Sequence, residues 1–368
     1  MTNRIFTTPE GVRDIYNGEC AVKIDLQIKL RERMHLYGFQ DIETPSFEYF
    51  DIFSEERGTV KAKDMYKFFD RDGNTLVLRP DMTPSIARCA SKYFKDEKSP
   101  IRLCYCGHTF VNNSEYQGKQ KEVTQLGCEL INDPSIMADA EMLAVTVDCL
   151  LASGLKEFRI DIGDVHFFKA LVSEAGLDED KVYKLRHYII DKNSFGIEDF
   201  LKEENVSDEL KEVFAMLPKM FGGAESLDSI EKITTNKDAL AAIEYLKSLR
   251  ELMKAYGYDR YIGFDLGMLS KYSYYTGIIF NVFTYDIGEP IASGGRYDRL
   301  VGQFGKDAAA VGMAIVMDKL QIALSRQGLL TKKGKDIEKI VAGDDAVSAI
   351  KKAMELRESG KSCMIVME

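Results

Sequence analysis

Long apolar runs are missing from this sequence. No window approaches the roughly 18 consecutive apolar residues that a transmembrane helix needs, although hydrophobic residues make up 45% of the chain. The N-terminal stretch MTNRIFTTPEGVRD also has no apolar core of a signal peptide. These absences predict a cytoplasmic protein without a membrane partner, and the composition is sufficient for a large core.

Cysteine and histidine are too few and too scattered to predict a disulfide framework or a metal centre. The seven cysteines are an odd number in a long chain, which argues against a disulfide scaffold. Cys104 and Cys106 form a C-x-C pair, but no second pair completes a zinc site. The four histidines do not cluster at ligand spacing. We therefore expect neither a metal nor a cofactor.

Positive charge is in deficit. The chain has 49 Lys and Arg against 59 Asp and Glu, a net charge of -10. Nonspecific nucleic-acid binding depends on the neutralisation of phosphates, so this balance disfavours it, although a local basic patch remains compatible with it. The length of 368 residues suggests two domains, or one large domain with an appendage.

The order of the predicted elements indicates an α+β fold. Short strands joined by hairpins, with helices grouped between them, favour an antiparallel sheet over a parallel βαβ array. Residues 65–79 predict a hairpin that turns at Asp72-Gly73, and residues 167–257 predict a helical insertion. We assign residues 1–328 to this core and residues 329–368 to a C-terminal stub. The stub reads strand, helix, strand, which predicts a single βαβ unit too small to fold alone.

Several short motifs between about residue 5 and residue 325 occur in the order found in one enzyme family. They are TPEGVRD from Thr8 to Asp14, FQDIETPSFE around Pro45, RPDMT from Arg79 to Thr83, QLGCE from Gln125 to Glu129, SYYTGIIF from Ser273 to Phe280, GGRYDRLVGQFG and AVGMAI. The ordered set resembles histidyl-tRNA synthetase, a class II aminoacyl-tRNA synthetase. The resemblance implies a class II antiparallel sheet flanked by helices and self-association as a class II-type dimer.

The residues that bind ATP in this family are only partly present in the chain. Amino-acid activation attacks the α-phosphate of ATP, and preorganised cations must stabilise the charge there. The family has arginines where this chain has Val111 and Ser270. The third motif of the family ends with a glycine and an arginine, which Val316 and Lys319 replace. These departures predict that the chain does not catalyse aminoacylation.

The amino-acid side of the resemblance is kept. The positions that match the family's histidine contacts are Asp81, Thr83, Gln125, Glu129, Tyr274, Tyr275 and Tyr297. Gln125 and Glu129 share one face of a predicted strand. On the same alternation only one residue of the tyrosine pair faces the pocket, and we expect Tyr275. Asp81 has a second interpretation, as the cap of the helix that starts at Thr83.

A kept histidine pocket beside a dismantled ATP pocket is the combination found in regulatory subunits of ATP phosphoribosyltransferase, which resemble histidyl-tRNA synthetase. This resemblance implies a non-catalytic, allosteric subunit that pairs with a short-form catalytic chain in the first step of histidine biosynthesis. It implies histidine as a ligand and no tRNA partner, because that family lacks the anticodon-binding domain. The short βαβ stub, as a remnant of an anticodon-domain-like module, fits this expectation.

Two other functions are compatible with the same residues. The chain is a divergent histidyl-tRNA synthetase if Lys271 and Lys319 replace the missing arginines. Lys271 sits one place along from Ser270, however, so on a strand it would point to the opposite face. Alternatively, the chain is a stand-alone amino-acid sensor for a different partner.

Overall fold

The computed structural model describes residues 4–54, 60–112, 119–204, 206–269, 274–330, 337–343 and 345–367. Two compact units are distinguished within the chain. The first comprises Met1–Arg13 and Leu26–Leu329, and the second comprises Asp14–Asp25 and Leu330–Glu368. Residues 14–25, which the sequence analysis assigned to the core, therefore group with the C-terminal residues.

The first unit is built on a nine-stranded, mainly antiparallel sheet. Its spatial order is β1-β5-β6-β12-β11-β10-β7-β9-β8, where the strands are β1 Gln40–Asp41, β5 Ile101–Phe110, β6 Glu122–Ile131, β7 Phe158–Asp164, β8 Phe221–Gly222, β9 Ile262–Asp265, β10 Ile278–Thr284, β11 Ala292–Arg296 and β12 Ala310–Val316. The predicted antiparallel α+β class is confirmed. Two pairs, β1 with β5 and β7 with β9, run parallel, and the short strand β8 was not predicted.

The register at the centre of the sheet places several of the sequence motifs side by side. Strands β5 and β6 form the long hairpin, in which Gly107 lies opposite Gln125. Strand β12 pairs with β6 on the other side, so that Gly312 lies opposite Glu129. Strand β11 follows, with Gly295 opposite Gly312. Segments that are far apart in the chain thus present small residues next to the carboxylate of β6.

A separate three-stranded sheet contains the predicted hairpin. Its strands are β2 Phe47–Tyr49, β3 Lys67–Phe69 and β4 Thr75–Leu78, with β4 in the middle. The Asp70 carboxylate accepts hydrogen bonds from the backbone N–H groups of Asp72 and Asn74. Gly73 has φ of +85°, a left-handed conformation that glycine adopts without steric cost. The turn lies where the Asp-Gly pair predicts it.

Eleven α-helices occur in the described residues: α1 Asn17–Leu36, α2 Thr83–Tyr93, α3 Ile136–Ser153, α4 Val165–Glu174, α5 Glu179–Ile190, α6 Ser194–Glu203, α7 Asp208–Met216, α8 Ala224–Glu231, α9 Lys237–Ala255, α10 Met317–Arg326 and α11 Ala346–Glu358. Helices α4 to α9 occupy the stretch predicted as a helical insertion. None of the helices in the described part is long and apolar enough to cross a bilayer.

Helix α3 is buried along most of its length and covers one face of the main sheet. The Ser135 hydroxyl caps its N-terminus by accepting a hydrogen bond from the Ala138 N–H. Cys128 of β6 faces this helix, because its Sγ lies 3.6 Å from the Met142 sulfur. The neighbouring residues Gly127 and Glu129 therefore point to the opposite face of the sheet.

The second unit contains the predicted βαβ arrangement. Strands β13 Glu338–Val341 and β14 Cys363–Val366 are parallel, and α11 connects them. Ala349 and Ala353 of α11 pack with Ile340 in a small buried cluster. A helix between parallel neighbouring strands is the connection that such strands require.

Candidate functional site

A narrow cavity of about 50 Å³ lies on the face of the sheet opposite α3. All of the residues that match the histidine contacts line it: Asp81, Thr83, Gln125, Glu129, Tyr274, Tyr275 and Tyr297. Strands β6, β11 and β12 form its floor, and the start of α2 and the tyrosine pair form its walls. Ser293, Met313 and Ala314 also line the cavity, although sequence analysis did not single them out. The sequence signal for them is their position, because Met313 and Ala314 lie within AVGMAI and Ser293 directly precedes GGRYD.

Glu129 is the central acid of this cavity. Its side chain is 1% exposed. The Tyr297 hydroxyl donates a hydrogen bond to Oε2, and the Thr83 hydroxyl donates to Oε1 over 2.9 Å. Burial raises the pKa of Glu129 to about 8, and the two hydrogen bonds only partly oppose this effect. The carboxyl group is therefore mostly protonated at neutral pH.

Asp81 is a second buried acid in the same cavity. The Tyr274 hydroxyl donates to Asp81 Oδ2 over 3.1 Å. The backbone N–H of Thr83, the first residue of α2, donates to Oδ1 over 3.4 Å. Burial raises the pKa of Asp81 above its ordinary value. The Asp81 carboxyl group therefore lines the cavity and accepts the first N–H of α2, although Met82 occupies the N-cap position of that helix.

Gln125 contributes an unsatisfied acceptor. Its side-chain Oε1 is buried and has no hydrogen-bond partner among the described residues. A buried polar atom without a partner costs free energy, on the order of 1–3 kcal/mol. A ligand that brings an N–H or O–H group into the cavity would remove this cost.

The charge of the cavity favours a cationic ligand. Two carboxyl groups, Asp81 and Glu129, lie in its wall, and no lysine or arginine is present among the described lining residues. A ligand ammonium would shift both groups towards the carboxylate form and form charge-assisted hydrogen bonds with them. The tyrosine rings supply apolar walls with hydroxyl groups at their ends. These features suit an amino acid with a flat, polar side chain.

The tyrosine pair differs from the prediction. Tyr274 and Tyr275 precede β10 rather than lie in it, and both line the cavity. Their ring centroids are 4.8 Å apart. The expectation that only Tyr275 faces the pocket was wrong, because strand alternation does not apply outside a strand. Tyr274 is in fact the more deeply buried of the two and bonds Asp81.

The nucleotide side of the sheet lacks the expected cations among the described residues. Val111 uses its backbone N–H to bond the Lys121 carbonyl oxygen over 2.9 Å. Lys319 is held away from such a role, because its ammonium lies 2.6 Å from the Glu289 carboxylate and bonds the Pro290 carbonyl oxygen. Ser270 and Lys271 lie outside the described residues. The geometry of Lys319 therefore disfavours its use as a substitute for the missing arginine.

One cluster of metal-ligand types escaped the sequence analysis. His35, Asp41 and Cys104 bring their ligand atoms within 4.8 Å of one another. The Arg31 guanidinium already forms an ion pair with Asp41 over 2.5 Å. Burial raises the pKa of the Cys104 thiol to about 12, so it is protonated at neutral pH. The cluster is therefore stabilised by Arg31 and has little thiolate to offer a metal.

Comparisons with known proteins find similar sequences along most of this chain. A family model described as histidyl-tRNA synthetase matches residues 11–320. The ATP phosphoribosyltransferase regulatory subunit of Acetivibrio thermocellus is 43% identical over 320 residues, which are 87% of this chain and 77% of that protein. The subunit of the same name from Clostridium kluyveri is 38% identical over 96% of this chain and 91% of its own length.

A solved structure also matches nearly the whole chain. It is the crystal structure of an ATP phosphoribosyltransferase regulatory subunit/histidyl-tRNA synthetase from Bacillus halodurans. The TM-score is 0.89 at 31% sequence identity, with coverage of 99% of this chain and 93% of that chain. The match confirms the predicted class II synthetase-like fold.

Proposed function

Because this chain belongs to the family of ATP phosphoribosyltransferase regulatory subunits, within the wider histidyl-tRNA synthetase family, we propose that it is a non-catalytic subunit that controls a separate catalytic chain. The partner is a short-form ATP phosphoribosyltransferase catalytic subunit, which needs this chain for the first step of histidine biosynthesis. The complex works in the cytoplasm, contains the chain as a class II-type dimer, and does not bind tRNA.

One contrast carries this proposal. All seven residues that match the family's histidine contacts line one cavity around Glu129. In the described part of the nucleotide side, Val111 stands at one arginine position and Lys319 is paired with Glu289. Loss of a single preorganised donor typically lowers a rate by about 10²–10³. A protein with these losses retains a means to bind histidine without a means to activate it.

The proposed regulation depends on a change in shape. The cavity of about 50 Å³ offers less space than a histidine molecule needs, so we infer that lining side chains, among them Tyr274 and Tyr275, rearrange when the ligand enters. A ligand shifts a conformational equilibrium only by the difference in its affinity for the two states. Histidine therefore favours the arrangement in which the tyrosine pair is displaced, and the catalytic partner responds to that arrangement.

Reconstitution tests the proposal. The chain is mixed with a short-form catalytic subunit, and phosphoribosyl transfer is measured with and without histidine. We expect a stable complex, a higher rate than the catalytic subunit alone, and inhibition by histidine. If no complex forms and the rate is unchanged, the chain does not regulate this enzyme, and a stand-alone sensor for another partner becomes the better explanation.

The divergent-synthetase alternative has its own assay. Histidine-dependent exchange between ATP and pyrophosphate reports amino-acid activation directly. We expect no exchange above the rate of a blank without protein. Val111 supplies no positive charge at its position, and the Lys319 ammonium is paired with Glu289. Clear exchange that requires histidine would contradict the non-catalytic assignment.

A further inference from the structure

A second cavity, of about 540 Å³, lies on the α3 face of β11. Arg296 of β11 and Asp139 of α3 line it, whereas Gly295 and Tyr297, the neighbours of Arg296, line the narrow cavity on the other face. The remaining walls come from α4, α9 and the start of β10. Its volume is in the range of small-molecule binding sites.

The buried acids of this second cavity already have partners. Asp139 forms an ion pair with the Arg296 guanidinium over 2.6 Å and accepts a hydrogen bond from the Tyr245 hydroxyl. Asp164 accepts the backbone N–H of His166 over 2.7 Å, and its Oδ1 lies 3.0 Å from His166 Nδ1. The negative charge of these two groups is therefore largely compensated within the protein.

Besides the paired Arg296, two basic side chains, Lys169 and His166, line the same cavity. Burial lowers the pKa of Lys169, and the nearby charges of Arg299 and Arg186 lower it further. In the part of the chain that the structure describes, no ion pair joins Lys169 to a carboxylate. The hydrogen bond to Asp164 raises the pKa of His166, which favours an imidazolium with a second N–H to donate. The cationic donors that remain available at this cavity are therefore the Lys169 ammonium and the second N–H of His166.

We propose that the second cavity is an effector site for a small phosphorylated metabolite. Lys169 and His166, which line the cavity, bind the phosphate group, because phosphate oxygens accept charge-assisted hydrogen bonds from cationic donors. Ser173 and Asp238, which also line the cavity, accept hydrogen bonds from hydroxyl groups elsewhere on the same metabolite, as a phosphorylated sugar or a nucleotide would offer. This binding step does not depend on the proposed function.

The two cavities share one strand and one connecting segment. The Thr276 N–H donates to the Arg296 carbonyl oxygen over 2.7 Å. On either side of Thr276, Tyr275 packs on Gly295 in the narrow cavity, and Gly277 packs on Arg296 in the second cavity. A ligand against Arg296 and Gly277 therefore acts on the segment that carries Tyr275. This coupling step rests on the proposed function, because it assumes that the narrow cavity binds histidine.

Binding to the full chain tests the site. Inorganic phosphate, ribose 5-phosphate and AMP are titrated by calorimetry into the wild type and three variants. Lys169→Glu reverses the charge of a lining residue. Ala241→Phe places a large side chain in the cavity from an exposed position on α9. Lys156→Glu is the control, because it makes the same charge change at an exposed lysine outside the cavity. We expect both cavity variants to lose affinity by about tenfold or more, and Lys156→Glu to bind like the wild type.

The outcomes separate the two steps. Absence of binding by all three probes at millimolar concentration would overturn the site, as would equal affinity in Lys169→Glu, Ala241→Phe and Lys156→Glu. If the phosphorylated probe binds as expected, histidine affinity is measured with the probe at saturation. A changed histidine affinity supports the coupling, and an unchanged one overturns it while the site stands. The proposed function is tested separately, by histidine binding and by activation of the partner in the absence of any phosphorylated probe.

Discussion

At the scale of single residues, Glu129 dominates the electrostatics of the narrow cavity. Its folded pKa of about 8 lies above the ordinary value of 4.5. The folded chain therefore binds this proton more tightly than the unfolded chain does. The resulting contribution to stability is complete below about pH 4.5 and is lost as the pH rises through about 8.

A pH series on the histidine-free protein tests this consequence. Glu129→Gln keeps the shape of the side chain and removes the titration, so its melting temperature should fall less than that of the wild type between pH 5 and pH 8.5. We expect the two proteins to be similar at pH 5, and the variant to be more stable by a few degrees at pH 8.5. If the melting temperatures of the two proteins change with pH by the same amount, Glu129 is not held protonated in the folded protein.

Histidine binding should release a proton from the same group. A ligand ammonium favours the Glu129 carboxylate, so binding near pH 7 transfers a proton to the buffer. Calorimetry in buffers with different ionisation enthalpies measures this release. We expect it in the wild type and not in Glu129→Gln, whose affinity for histidine should fall by about 10–100-fold. Binding without proton release would place the ammonium elsewhere.

At the scale of elements, the floor of the narrow cavity depends on glycines where β6, β11 and β12 pair. A Cβ at Gly312 would lie 1.6 Å from Glu129 Oε2, which is the end of a side chain. A Cβ at Gly294 would lie 2.3 Å from the Gly312 carbonyl oxygen, which is backbone. The first clash can be relieved by rotation of Glu129, whereas the second requires the strands to separate.

These two glycines give a matched pair of variants. Gly312→Ala should fold with a modest loss of stability and lose most histidine affinity, because Glu129 is displaced from Thr83 and Tyr297. Gly294→Ala should lower the melting temperature more strongly, because backbone atoms cannot move independently of the sheet. Thermal melting and histidine titration are measured on both. Equal melting temperatures, or normal histidine binding in Gly312→Ala, would contradict the assigned packing.

At the scale of the whole molecule, regulation requires reciprocal coupling. If histidine and the catalytic subunit bind the same chain and influence each other, each must change the affinity of the other by the same factor. We expect the factor by which complex formation changes histidine affinity to equal the factor by which histidine changes partner affinity. Calorimetry and analytical ultracentrifugation measure the two factors. Unequal factors at equilibrium would mean that histidine also binds at a site on the partner.

Much of the site could be predicted because its motifs are local. The alternation of QLGCE places Gln125 and Glu129 on one face of a strand, and the Asp-Gly pair at Asp72-Gly73 predicts a hairpin turn. The replacement of an expected cation by Val111 is visible without a structure. The helical stretch before β9 is predicted by its period, although β8 within it is too short to leave a pattern.

The sequence by itself determined the class of the fold, the residue types of the amino-acid cavity and the absence of two expected cations. Only the tertiary structure decided which side chains meet. Tyr274 bonds Asp81 across 193 positions of chain, Arg296 bonds Asp139 across 157, and Lys319 is paired with Glu289 rather than free. The physical reason is range, since periodicity describes neighbours along one strand or helix. Contacts between distant segments depend on strand order and on the path of the loops that join them.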